Sequence, residues 1–153
     1  MNKIIILKND RTGDLFTSTP LINLIFNKYK NKEIEIFLSK VNCKFAFLFK
    51  KKKIKIINLD LSIYDKFKIF FYLLINKVDS VYILTPKNFY FYLPILLYFK
   101  KIKFFGICID SKKQRPYNFL RNFLHKKVII NRRKIKPRKS SYDIQKELID
   151  YEK

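Results

Sequence analysis

Residues 3–20 read KIIILKNDRTGDLFTSTP, and the order of parts in this stretch decides the fold. Ile4 to Leu7 form a continuous apolar run rich in β-branched residues, without alternation. Such a run predicts a central parallel strand covered on both faces. Residues 9–14 follow as a turn. From Asp14 to Lys30 apolar residues recur at helical spacing, at Leu15, Leu21, Ile22, Ile25 and Phe26. Pro20 sits either at the start of that helix, after Thr19, or kinks a helix that begins near Gly13.

The same alternation continues along the chain. EIEIFLS (33–39), KIKIINL (53–59), SVYILT (80–85) and KIKFFGI (101–107) read as further strands, and VII (128–130) is a candidate sixth. Between them the patterning predicts a short helix over 42–49, an amphipathic helix near 63–77 capped by Asp60 or Ser62, and a helix over 88–100. Pro86 ends the fourth strand. Strands alternating with helices predict an α/β fold, a Rossmann-like open parallel sheet with helices on both faces. Gly106, closing the fifth strand, fits a close backbone approach at the carboxyl edge of the sheet. After Ile109 the chain turns basic. Phe119, Leu120, Phe123 and Leu124 keep helical spacing, 131–139 is a basic loop, and 141–153 reads as a last helix with Ser141 as its cap.

The chain has 153 residues, a one-domain length, and 48% of them are hydrophobic, enough for a real core. Its formal net charge of +22 points to an anionic partner, whether nucleic acid, a membrane surface or an acidic substrate. The abundance of Lys, Ile, Asn, Phe and Tyr also fits a compositional bias of AT-rich genes. KKKKIK (50–55) and NRRKIKPRK (131–139) are therefore either phosphate-holding segments or a solvated surface. In the 112–139 region Arg115, Arg121, Arg132 and Arg133 are mixed with Tyr117 and Phe119, and guanidinium forks suit phosphate or carboxylate. Cys43 and Cys108 have no metal-ligand or redox spacing, as in intracellular chains with lone thiols. No signal-peptide pattern opens the chain. The longest apolar run, 89–99, carries three Tyr and a Pro and is about half a membrane span.

No G-x-G-x-x-G fingerprint and no P-loop follow the first strand. Around the lone His125, beside two lysines, neither a metal cluster nor a Ser-His-Asp set can be assembled convincingly. What remains is the turn at 9–14. In open parallel sheets ligands bind outside the carboxyl ends of the strands, and this turn lies at that edge. Gly13 allows a tight turn, and Asp14 then opens the following helix. A carboxylate there is favoured by free backbone N–H groups and the helix dipole. Two readings of Asp14 stand side by side: a helix cap worth about 1 kcal/mol, or a base facing the cleft.

LKNDRTGDLFTSTPLINLI (7–25) resembles the N-terminal signature of the lipopolysaccharide heptosyltransferase family, glycosyltransferase family nine. A basic residue ends the first strand (Lys8), an Asp follows two later (Asp10), then a Gly-Asp pair (Gly13, Asp14) and a Ser/Thr-Pro (Thr19, Pro20). Where this chain has Lys8 the family often has Arg. The segments 31–47, 78–107 and 141–153 are weaker matches to later parts of the same domain.

The resemblance implies the N-terminal half of a GT-B glycosyltransferase: a Rossmann-like acceptor-binding domain over 1–139, and a helix over 140–153 leading to a donor domain that this chain lacks. It implies an inverting, metal-independent transfer that uses no cofactor. The donor would be a nucleotide sugar, ADP-heptose in the best-known cases. The acceptor would be an anionic glycolipid, a Kdo-containing lipopolysaccharide core. The protein would be cytoplasmic, peripheral on the inner face of the inner membrane. Asp14 takes the role of general base. Lys8, Asp10, Arg11, Thr12, Gly13 and Thr19 would lie on the acceptor side, with Arg115 from the basic region. Without the donor half, the chain reads as a truncated enzyme, a split one, or an inactive fragment. A different class, a basic nucleic-acid-binding α/β module, is the alternative drawn from charge alone. Against it, most aromatics fall in apolar runs and are expected in the core.

Overall fold

The computed structural model describes residues 2–49, 53–58, 60–109, 119–130, 143 and 146–149. Six strands form one sheet: β1 (Lys3–Lys8), β2 (Glu33–Ser39), β3 (Lys53–Ile57), β4 (Val78–Ile83), β5 (Lys103–Ile109) and β6 (Lys126–Ile130). Every pairing is parallel and the order is β3-β2-β1-β4-β5-β6. This is the Rossmann-like order, in which the chain winds outward in one direction from β1 and in the other from β4. The helices are α1 (Thr12–Lys28), α2 (Ile63–Ile75) and α3 (Asn88–Leu96), with 3₁₀ segments at Asn42–Phe49, Tyr98–Lys100 and Leu120–Phe123.

The unbroken apolar run of β1 serves two cores. Ile4 and Ile6 join a cluster with Leu15, Ile22 and Ile25 of α1. Ile5 and Leu7 join the opposite cluster with Ile69 and Leu73 of α2 and Phe91 and Leu93 of α3. All four are fully buried. β4 repeats the split: Tyr82 stacks on Phe105 at 4.8 Å on the α1 side, while Val81 and Ile83 face α2 and α3. Leu148 is buried in the α1-side cluster and Ile149 packs against it, so this part of the last segment covers the sheet. Most of that segment, including Ser141, lies outside the described residues.

Several boundaries differ from the sequence reading by two residues or more. β4 starts at Val78 rather than Ser80: Asp79 sits at a register shift in the pairing with β1, and its carboxylate is 2.7 Å from Lys32 Nζ. β5 starts at Lys103, because Lys101 takes a left-handed conformation (φ 54°) that ends the preceding 3₁₀ turn. Of the two readings of Pro20, the one with the helix beginning near Gly13 holds: α1 starts at Thr12 and Pro20 lies inside it. It is on an exposed side, where water replaces the hydrogen bond its ring nitrogen cannot donate. Gly106 is in the middle of β5, not at its end. A Cβ there would come within 2.8 Å of Leu124 Cδ1, so the close approach is by a side chain in the core.

α2 begins with a reciprocal cap. Asp65 N donates to Ser62 Oγ at 3.1 Å, and Asp65 Oδ2 accepts from Ser62 N at 3.2 Å. Asn58 Nδ2 adds a bond to the same carboxylate at 2.7 Å. Burial works to raise the Asp65 carboxyl, but hydrogen bonds from Ser62 and Asn58 outweigh it and hold the group below its ordinary value. Ser62→Ala removes the cap acceptor and is expected to cost about 1 kcal/mol, read as a lower urea midpoint with an unchanged slope.

Candidate functional site

The order of strands places a crevice between β1 and β4, at their carboxyl ends, where the windings diverge. The residues that leave β1 stand there. Lys8, nearly fully buried, donates to Asp10 Oδ2 at 2.5 Å and to the Leu84 carbonyl at 3.4 Å. It thereby ties the turn after β1 to the end of β4. Asn9, fully buried, donates to the Asn58 carbonyl at 2.9 Å and accepts from Tyr90 OH at 2.7 Å. The Asp10 carbonyl accepts from Asn42 Nδ2 at 2.8 Å and Ser39 Oγ at 3.1 Å. Backbone groups of β1 close the other side: Leu84 N and Thr85 N both donate to the Leu7 carbonyl. The turn is clamped by the ends of β2, β3 and β4 and the first turn of α3.

Three buried polar atoms in this region have no hydrogen-bond partner among the described residues: Asp10 Oδ1, Asn42 Oδ1 and Thr85 Oγ1. They follow β1, β2 and β4. An unsatisfied buried polar atom costs about 1–3 kcal/mol, and native folds keep few of them. All three lie at the carboxyl edge of the sheet, where ligands bind in open parallel folds. Burial pushes the Asp10 carboxyl up from its ordinary value. Lys8 opposes the shift by charge and hydrogen bond, and the negative charge of Asp14 adds to it. Burial also raises the Tyr90 phenol well above its ordinary value, with Asp10 and Asp65 contributing. It stays a neutral donor to Asn9.

Asp14 is exposed and stands third in α1. It is not the N-cap. That position is Arg11, whose carbonyl accepts from Leu15 N at 3.1 Å and whose side chain makes no capping bond. Of the two sequence readings of Asp14, the cap is therefore excluded by geometry. The carboxylate lies in the first turn, where exposed N–H groups and the helix dipole favour negative charge. Thr12 and Gly13 occupy the two positions before it. Gly13 has no positive φ, and a Cβ there would meet nothing within 4 Å. The tight turn expected from this glycine is absent. Gly13→Ala is accordingly expected to stabilise the isolated fold by about 0.5–1 kcal/mol through helix propensity, measured by thermal or urea unfolding.

Thr19 stands further along α1, with Oγ1 bonded to the Leu15 carbonyl at 3.0 Å. The structure thus brings Lys8, Asp10, Arg11, Thr12, Gly13 and Asp14 to one edge and leaves Thr19 on the body of the helix. Arg115 lies outside the described residues, as do Arg132, Arg133 and Tyr117. Ser39, Asn42 and Thr85 belong to the site but carry no sequence motif. The available signal was position: Ser39 and Thr85 are the polar residues that follow apolar strand runs at the carboxyl edge.

Among solved structures the chain is similar to the glycosyl transferase family 9 protein from Veillonella parvula DSM 2008. The TM-score is 0.63 at 14% identity, covering 96% of this chain and 40% of that one. The likeness is one of fold, and this chain spans well under half the length of that protein. No protein-family model matches the chain, and no curated protein matches it.

Proposed function

We propose that this chain is the acceptor-binding part of a glycosyltransferase, with Asp14 as the general base. The observation that carries the reading is the set of unpartnered buried oxygens of Asp10, Asn42 and Thr85 in the crevice that Asp14 overlooks. Sugar hydroxyls are matched to such a set, since each can donate to a carboxylate or amide oxygen and accept from a hydroxyl. The likeness in fold to a family 9 glycosyl transferase agrees with this assignment.

In this account Asp10 and Asn42 orient the acceptor, and Lys8 holds Asp10 in place. Asp14 accepts the proton of the attacking hydroxyl as its oxygen bonds the anomeric carbon of the donor. The bond from that carbon to the nucleotide diphosphate breaks in the same displacement, with inversion. A hydroxyl is a poor nucleophile until its proton is taken, which is the work of a positioned carboxylate. The nucleotide sugar, ADP-heptose in this reading, is bound by a donor domain. The acceptor is an anionic, Kdo-containing glycolipid core, to which the chain's positive balance is suited.

The test is reconstitution. The chain joined to, or mixed with, a family donor domain is expected to transfer sugar from the nucleotide sugar to a lipopolysaccharide-core acceptor. Equal transfer by the donor domain alone would contradict the proposal.

A further inference from the structure

The face built by α2 and α3 is apolar on its outer side. Ile63, Phe67, Phe71 and Ile75 repeat every fourth residue along α2 and are 72%, 55%, 49% and 77% exposed. The inner side of the same helix buries Ile69 and Leu73. A surface helix ordinarily presents polar residues outward; α2 is apolar on both sides. A groove of about 340 Å³, lined by Ile63, Lys66, Phe67, Phe70, Phe89 and Leu96, joins α2 to α3. A second, of about 460 Å³, lies between Pro94, Tyr98 and Phe99 on one side and Phe104 and Phe123 on the other. Eleven of the seventeen exposed large hydrophobic side chains among the described residues lie on these two helices and the short 3₁₀ turns beside α3. Contiguous apolar patches of that kind mark an interaction surface.

The charge on this side is one-signed. Between Ile63 and Lys103 there are seven Lys and two acids. One acid, Asp65, is buried in the cap of α2, and the other, Asp79, is bonded to Lys32. Asp60, at the rim before α2, lies 4.0 Å from Lys87.

We propose that this α2–α3 face docks the chain on an anionic lipid surface. A bilayer supplies both things the face requires: hydrocarbon for Phe67, Phe71 and Ile75, and anionic headgroups for the lysines between and around them. A second copy of the chain supplies only the first, and would bring two sets of lysines together without carboxylates to meet them. No helix among the described residues is long and apolar enough to cross a membrane, so the helices lie in the interface. Tyr64, Tyr92 and Tyr98, all exposed, suit the headgroup level, where amphipathic rings collect. The docking does not depend on glycosyl transfer.

Vesicle flotation tests it with the full chain. The wild type is expected to float with phosphatidylethanolamine–phosphatidylglycerol vesicles and to stay behind with phosphatidylcholine alone. Phe67→Ser with Phe71→Ser should lower the bound fraction at least about tenfold, given the area each ring would bury. Unfolding curves will establish that this variant is folded, as its half-exposed positions predict. Lys66→Glu with Lys68→Glu should also weaken binding and blunt its salt dependence. The proposal is overturned if the wild type ignores anionic vesicles or if the Phe variant floats like the wild type. It is also overturned if the wild type is a dimer that both variants dissociate, which would assign the face to a second copy.

Discussion

Asp14→Asn is expected to lower sugar transfer by about 10²–10⁴-fold, the range for removing a positioned general base, when the chain is paired with a donor domain. Asn keeps the size and polarity of the side chain but cannot accept the hydroxyl proton. The loss should fall on kcat, with acceptor KM little changed, because the missing interaction is made only as the proton moves. Stability should hold. Asp14 is exposed in the first turn of α1, so the change costs only the helix-dipole contribution, about 0.3–1 kcal/mol, too little to explain such a loss. Full activity in Asp14→Asn, with activity abolished in Asp10→Asn, would transfer the role of base to the buried carboxylate beside Lys8.

The largest effect on stability is expected at Glu35. Its side chain is fully buried in β2 yet carries a carboxylate. Lys3 Nζ lies 2.9 Å from Oε1, and Tyr72 OH donates to Oε2 at 2.5 Å. Lys55 Nζ is 3.9 Å from Oε2 and sits over the Tyr72 ring at 4.3 Å. Burial works to raise the carboxyl, but hydrogen bonds from Tyr72 and Lys3 and the lysine charges hold it below its ordinary value. Tyr72 is pushed up to about 12 by burial and by the carboxylate it serves. Glu35→Gln leaves Lys3 and Tyr72 without their anion and is expected to cost about 3 kcal/mol, a large share of a typical domain's stability.

The sign of the pH dependence follows. A carboxyl whose folded pKa is depressed stabilises the fold above its unfolded pKa, near 4.5 for this group. That contribution is lost as pH falls through the lower, folded value. Denaturation of the wild type should therefore show an acid-side loss that is shallower in Glu35→Gln. Identical acid limbs in the two proteins would contradict the assignment.

How much of this was legible in the sequence depends on the range of the interaction concerned. β1 and β2 fell at the predicted residues, because an apolar run and a strict alternation are local patterns read directly from Ile4–Leu7 and from 33–39. The start of β4 was missed by two residues, because the register shift at Asp79 and its ion pair with Lys32 are set by contacts distant in sequence. α1 begins at Thr12, as one of the two readings of Pro20 had it; the residues alone did not choose between them. Asp10 and Asp14 were singled out from the turn after β1 and from the resemblance its spacing carries. Asn42 and Thr85 were not, since what makes them part of a site is the β1–β4 neighbourhood, set by strand order and not by any local period. The apolar outer side of α2 was present in the sequence, but the spacing of Ile63, Phe67, Phe71 and Ile75 reads equally well as a core stripe. Only the packing of Ile69 and Leu73 on the sheet tells the two sides apart.

The central claim is that the crevice between β1 and β4 receives a sugar acceptor. An amide chemical-shift titration of the chain with a Kdo-containing core oligosaccharide tests it directly. The account predicts saturable shifts concentrated on residues 9–14, on Asn42 and on Thr85, with β6 and the outer side of α2 unmoved. Shifts confined to α2 and α3, or none at saccharide concentrations that saturate a family acceptor domain, would contradict it.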